Sequence, residues 1–494
     1  MKYFSTRNVN YKVSAAAAIS CGLAPDGGLF VPESLPRLSR EDVKALCDMN
    51  YQERAASIMK LFLDEFSEEE LKAMVSAAYG ENFDHQNIAP MHFVDGKTAV
   101  LELWHGPTCA FKDMALQILP HLLTASLKKC GEDRKVCILV ATSGDTGKAA
   151  LEGFADVEDT KILVFYPHNG ISDVQKLQMI TQSGSNVGVA AVYGNFDDAQ
   201  SGVKKIFGDR EFAERLSAKG WFLSSANSIN WGRLLPQIVY YFSAYCDFVS
   251  SGNIEFGDAV DFAVPTGNFG NILACWYAKN MGLPVGRLLC ASNENNVIAD
   301  FFDTGVYDRN RTFHTTISPS MDILVSSNLE RLLYSVCGSD TQVTGYMSRL
   351  GADGRYEVDA RVKAVIDENF EGGYCTDDET KAVIKKVYTE EGYLMDTHTA
   401  VAYKKMLDHR AVSGGCVPTV VVSTASPYKF CDSVLSALGE EDTDAPGTEL
   451  IEKLSEVTKT AAPKPLAGLD KRKQRFKLAV DKQDMQKTVA DFLS

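Results

Sequence analysis

No C-x-x-C pair and no H-x-x-x-H pair occurs in the 494 residues, although the chain holds 12 cysteines and 8 histidines. The ligand spacings of structural and helix-borne catalytic zinc are therefore missing, and no metal site is expected. The cysteines, scattered from Cys21 to Cys431, are expected to be free and mostly buried, as small hydrophobes in a reducing compartment. No stretch approaches the roughly 20 apolar residues of a membrane span. Arg7, Asn8, Asn10 and Lys12 interrupt any apolar leader ahead of the short alanine run, so a mature, cytoplasmic sequence is expected. Positive charge is also short. Fifty Lys and Arg against 65 Asp and Glu leave a net charge of −15, which repels nucleic acid and anionic membrane surfaces. A phosphorylated ligand would have to be drawn by a local cluster of donors.

Two phosphate fingerprints are absent as well. There is no G-x-G-x-x-G, and Val140–Ala150 fails as a P-loop because Gly147-Lys148 is followed by Ala149 and Thr142 stands where the first glycine belongs. What the chain does have is a change of character near Lys97. Before it, apolar positions recur with a helical period, and Pro25-Asp26-Gly27-Gly28 marks a turn. After it, the β-branched runs TAVLELW, KVCILVAT, KILVFYP, NVGVAAVYG, DFAVPTG, RLLCASN and TVVVST alternate with helical patterns. That rhythm predicts an α/β fold of open, parallel, doubly wound sheets flanked by helices, with ligands at the carboxyl ends of strands. The expected units are a mainly helical 1–90, a catalytic α/β region over 91–435, and a C-terminal extension over 436–494. The charged, Pro/Gly-punctuated stretch after Gly439 reads as a solvated surface excursion, and the last residues as a short docking helix.

Three strand ends and one lysine carry the chemistry. Lys112 lies between a Gly-Pro turn and Met114, Ala115, Leu116, Ile118 and Leu119. Most lysines are solvated; one in these surroundings is a candidate reactive amine, because desolvation disfavours its charge. Thr142, Ser143, Gly144, Asp145, Thr146 and Gly147 open a helix, and either cap it or bind an anion there. Gly267, Asn268, Phe269, Gly270 and Asn271 suit a cradle for one phosphate. Ser423 and Thr424 end an apolar strand ahead of Pro427. An amine, a one-phosphate cradle and hydroxyl-bearing strand ends together suggest pyridoxal phosphate.

The sequence also resembles the threonine synthase family, fold-type II pyridoxal phosphate enzymes related to cysteine synthases and serine/threonine dehydratases. The resemblance rests on Ser5–Arg7, GLAPDGGLFVP, FKD, SGDTG, NSINWGR, GNFGN, SMDILVSSNLER and STASPYKF, in that order, over nearly the whole chain. It implies that Lys112 joins the cofactor and moves protons. It further implies that Gly267 to Asn271 hold the cofactor phosphate, and that the Thr424 hydroxyl meets the pyridine nitrogen. Asp145 takes a place beside the cofactor's 3′-oxygen, with its protonation state open. Ser143, Gly144 and Thr146 match a loop that takes the substrate carboxylate, and Asn227, Ser228 and Arg233 match residues that grip the substrate phosphate. Lys148 and Lys429 are further candidate cations there. Asp396 opens DTHTAVAY, which resembles a D-P-H-T-A-V pattern with Thr397 in place of proline, and receives no role. The implied reaction turns O-phospho-L-homoserine and water into L-threonine and phosphate. The implied form is the long bacterial and fungal one, a monomer. The alternatives are a phospho-lyase releasing 2-oxobutyrate and ammonia, a threonine or serine dehydratase, and a catalytically silent cofactor-binding protein.

Overall fold

The seven β-branched runs all form strands, because such side chains pack well on a pleated surface buried on both faces. The computed structural model describes every residue except Ser143, Asn169, Gly170, Cys416 and Asp442. One sheet has six strands in the order Phe370–Tyr374, Val285–Ser292, Val260–Pro265, Thr419–Ser423, Thr98–Glu102 and Met91–Phe93. All its pairings are parallel except the last, which is antiparallel. A second sheet has five parallel strands, Ala479–Asp481, Val187–Tyr193, Thr160–Pro167, Lys135–Ala141 and Trp221–Ser224.

The helix Trp231–Ser250 is buried around almost its whole circumference, as expected of a helix apolar on all sides. It packs on Tyr51–Phe62 of the N-terminal region and on Gly270–Met281 of the sheet region, so those regions share one core. Among the described residues no helix is long and apolar enough to cross a membrane.

The N-terminal region is mainly helical but not helical alone: Asn8–Ser14, Lys2–Ser5 and Phe30–Pro32 form a three-stranded antiparallel sheet. Strands of three to seven residues are too short to show a period in sequence. The three helices that follow begin with capping boxes, Ser39 with Asp42, Asn50 with Glu53 and Ser67 with Glu70. The charged C-terminal stretch is not all solvated either. Its helix Gly447–Thr458 buries Leu450, Ile451 and Leu454 against neighbouring helices, a narrow apolar stripe in a charged segment.

The strands Thr98–Glu102, Lys135–Ala141, Val260–Pro265 and Thr419–Ser423 all lead, at their carboxyl ends, into the segments that carry the candidate site residues.

Candidate active site

The segment from His105 to Lys112 is bent by a buried carboxylate. Asp113 accepts from the Thr108 N–H at 2.8 Å and from the Thr108 hydroxyl at 2.6 Å. Gly106 lies so close that a Cβ there would meet Asp113 Oδ2 at 2.6 Å, which is why glycine precedes the proline. Burial pushes the Asp113 carboxyl up to about 6, against the two Thr108 hydrogen bonds. The segment is then stitched to the next strand end: the Phe111 N–H donates to the Thr424 carbonyl at 2.8 Å, and Ala110 bridges Ala425. Lys112 therefore leaves the backbone at a fixed point, just before the short helix Asp113–Leu116.

Its side chain is 12% exposed, and its Nζ lies 3.4 Å from Asp145 Oδ2 and 3.3 Å from the Ser320 hydroxyl. Burial lowers the affinity of this amine for a proton. Asp145 opposes the shift, while Lys429 and Arg233 add to it, and the net direction is down. A lysine so placed spends more time as the neutral nucleophile than an exposed one does.

Asp145 begins the helix Asp145–Phe154. Burial disfavours its charge, but Lys429 and Lys112 more than compensate, with hydrogen bonds from Lys429 and Gln175, and its carboxyl falls well below the usual range. Lys429 and Lys112 thus favour the carboxylate form of Asp145. Lys429 Nζ lies 2.6 Å from its Oδ1, with no exposure of the lysine side chain, and also donates to the Thr108 carbonyl at 3.1 Å. Lys148 is likewise engaged, 2.7 Å from Glu152 and hydrogen-bonded to Gln182. Both lysines, candidates for an incoming phosphate, already have partners.

The anion-cradle segment runs from Gly267 into the helix Gly270–Met281, with Phe269 in the left-handed region at φ +65° and no side chain capping the helix. Its first-turn N–H groups are thus left for a ligand. A Cβ on Gly267 would lie 2.7 Å from the Ser320 carbonyl oxygen. Ser326 donates to the Gly267 carbonyl at 2.7 Å, and the Ser327 hydroxyl donates to Asn268 Oδ1 at 3.2 Å. Asn271 Oδ1 accepts from Tyr240 and Tyr241, while its buried Nδ2 has no partner among the described residues. The Ser228 and Ser327 hydroxyls are 3.4 Å apart, which ties the 227–233 segment to the same cradle.

Arg233 is buried, and its guanidinium donates to the Ala226 carbonyl at 3.0 Å; its Nε has no partner among the described residues. Burial without a carboxylate pushes the group down to about 10. An enclosed cation with a spare donor is what an incoming anion would satisfy. Asn227 is exposed, Thr146 half-buried, and Gly144 and Thr424 are buried. The Thr424 hydroxyl makes no hydrogen bond among the described residues, and Ser143 lies outside them. Thr142 caps the turn, accepting from the Gly144 and Gly147 N–H groups at 3.0 Å each.

The structure thus gathers Lys112, Asp145 and Lys429 into one charged group. Ser320 links that group to Gly267, and Ser228 and Ser327 join Asn268. Ser320, Ser327 and Gln175 were not singled out by sequence; the two serines lie inside SMDILVSSNLER, but nothing local marks either as facing the lysine or the cradle. The donor set fits a group with an aldehyde for the amine, one phosphate for the uncapped helix and Asn271, and a ring atom for the free Thr424 hydroxyl.

Comparison with known proteins agrees with that chemistry. Residues 2–79 match the family model described as threonine synthase N terminus. Residues 98–425 match the pyridoxal-phosphate dependent enzyme model, and 399–491 match threonine synthase, C-terminal. Threonine synthase-like 1 of Homo sapiens is 43% identical over 456 residues, covering 88% of this chain; the chain spans only 60% of that relative's length. Threonine synthase of Pseudomonas aeruginosa is 40% identical over 440 residues, covering 88% of this chain and 90% of that one. The crystal structure of PLP-bound threonine synthase from Brucella melitensis has a TM-score of 0.88 at 38% identity, covering 100% of this chain and 98% of that one. Together, the matched length and the shared fold show that the chain belongs to the threonine synthase family of pyridoxal-phosphate dependent enzymes.

Proposed function

We propose that this chain converts O-phospho-L-homoserine and water to L-threonine and phosphate, with pyridoxal phosphate as cofactor. The observation that carries the proposal is the pairing of a desolvated lysine, Lys112, with a buried cation, Arg233, whose Nε is unsatisfied. When bound, pyridoxal phosphate supplies an electron-withdrawing ring that stabilises negative charge on the substrate carbon next to the amino group. The chain's own residues do the rest. Lys112 holds the cofactor and, once released, carries protons to and from the substrate carbons within its reach. Gly267, Asn268, Phe269, Gly270 and Asn271 hold the cofactor phosphate, and Thr424 offers a neutral hydroxyl to the ring nitrogen. Asp145, whose charged form Lys429 favours, places a carboxylate beside Lys112. Ser143, Gly144 and Thr146 take the substrate carboxylate. Asn227, Ser228 and Arg233 take the substrate phosphate, and Arg233 suits its departure because a planar guanidinium can contact two oxygens.

The same proposal makes the protein a cytoplasmic monomer that binds a small phosphorylated amino acid, and neither nucleic acid nor membrane. Its net charge of −15 and its buried free thiols support that setting. It also divides the chain into 1–90, 91–435 and 436–494.

Arg233→Ala is expected to raise KM for O-phospho-L-homoserine about tenfold or more, the value of a lost charged hydrogen bond, while the cofactor's absorption spectrum stays intact. Loss of bound cofactor in this variant would give the arginine another task. Gly267→Ala is expected to weaken cofactor binding about tenfold or more, since its Cβ meets a backbone carbonyl that must move. Spectroscopic titration with pyridoxal phosphate measures this, and unchanged affinity would remove Gly267 from the cradle. The function itself is tested by phosphate release from O-phospho-L-homoserine; none from the cofactor-loaded protein would reject it.

A further inference from the structure

Asp396 and His398 have no part in the chemistry above, yet they are 0% and 2% exposed. Asp396 caps the helix Thr397–Ser413, accepting from the His398 and Thr399 N–H groups. Its Oδ2 also lies 2.8 Å from His398 Nδ1. His398 Nε2 accepts the backbone N–H of Ser320 at 3.1 Å. An imidazole nitrogen that accepts carries no proton, so the ring proton sits on Nδ1 and is donated to Asp396. The Ser320 hydroxyl is 3.3 Å from Lys112 Nζ, and the Ser320 carbonyl closes over Gly267. A continuous chain of contacts thus runs from a helix cap through His398 and Ser320 to the amine.

Ser320 belongs to a single 3₁₀ turn, Pro319–Met321, which cannot fix a side chain by itself. Beyond that turn the loop is anchored by Asp322, which accepts from Asn293, Asn295 and Thr316. At the turn itself the tie is His398.

We propose that the Ser320 hydroxyl orients the Lys112 amine, and that Asp396 and His398 are positioning residues that hold Ser320 in place through its main chain. The charged groups that also face the amine are Asp145, Lys429 and Arg233. A carboxylate can only accept and a guanidinium only donate, whereas a hydroxyl can accept from the ammonium or donate to the free amine and so serves both protonation states of the lysine. The proposal rests on Lys112 being the reactive amine; it does not depend on which substrate the enzyme takes.

Two measurements test it. In the cofactor-free full chain, the rate of Lys112 carbamylation by cyanate is followed against pH by peptide mass spectrometry. Ser320→Ala removes an acceptor from the ammonium, so the labelling midpoint should fall by about half a pH unit or more. In the cofactor-loaded enzyme the same variant should lower kcat about 10- to 100-fold, with KM within about threefold. His398→Ala should reproduce both changes. His398→Gln, whose amide oxygen can still accept the Ser320 N–H, should restore most of each. An unmoved midpoint in Ser320→Ala overturns the proposal, and so does a His398→Gln variant no better than His398→Ala. If His398→Ala does not fold, Ser320→Ala and His398→Gln decide the matter. Because labelling needs no substrate, a wrong substrate assignment leaves the midpoint result intact.

Discussion

Lys112→Ala is expected to abolish turnover, with kcat down at least about 10³-fold, and to remove the visible absorption that a lysine-bound cofactor gives. The size of the effect follows from the geometry. The amine is nearly enclosed and is depressed by burial and by Lys429 and Arg233. Asp145 and Lys429 cannot replace it, because they are occupied with each other at 2.6 Å. Lys148 cannot either, since Glu152 and Gln182 hold it. Lys112→Arg should fare no better, because a guanidinium stays protonated and cannot serve as the nucleophile. Turnover near the wild-type rate in Lys112→Ala would remove the lysine from the chemistry.

The second large effect concerns stability. Lys429→Met should destabilise the fold by about 3–5 kcal/mol, the cost of stripping one partner from a buried ion pair. Asp145 would be left enclosed, with Lys112 at 3.4 Å and Gln175 at 3.0 Å as its remaining partners. The double variant Lys429→Met with Asp145→Asn should recover much of the loss, because no unpaired charge remains. Denaturant unfolding of the single and double variants measures both. Equal stability of Lys429→Met and wild type would show that the pair is not what holds the strand end against the helix.

The same pair predicts a dependence on pH. The folded-state pKa of Asp145 is depressed, so its contribution is fully present above the ordinary aspartate value of about 3.9 and is lost as pH falls below it. Lys429 is the first among the charges that depress it. In Lys429→Met the contribution should therefore shrink, and with it the difference in stability between neutral and acid solution.

Much of this site could be read from residue order, because strand ends in open α/β sheets converge. Lys112 stood out because apolar residues flanked it on both sides. The segment from Gly267 to Asn271 stood out because glycines and asparagines separated an apolar strand from an apolar helix. What could not be read was pairing. Lys429 and Lys148 looked like cations awaiting a phosphate, since nothing near Lys429 in sequence reveals Asp145 as its partner, and Glu152, one helical turn from Lys148, is a common surface spacing. Ser320 sits on a turn with no period at all, and only the fold brings it to the amine. His398 was visible within a motif, but its task depends on a backbone N–H contributed by another segment. The N-terminal sheet escaped for a similar reason. Its strands are short, and their partners are fixed by packing against Trp231 and its neighbours, not by local alternation.

Product analysis of the cofactor-loaded protein incubated with O-phospho-L-homoserine decides between threonine synthesis and simple elimination. Phosphate and L-threonine are expected in equal amounts. Phosphate accompanied by 2-oxobutyrate and ammonia would contradict that expectation, keeping the fold and the cofactor but making the enzyme a lyase that does not add water to the substrate.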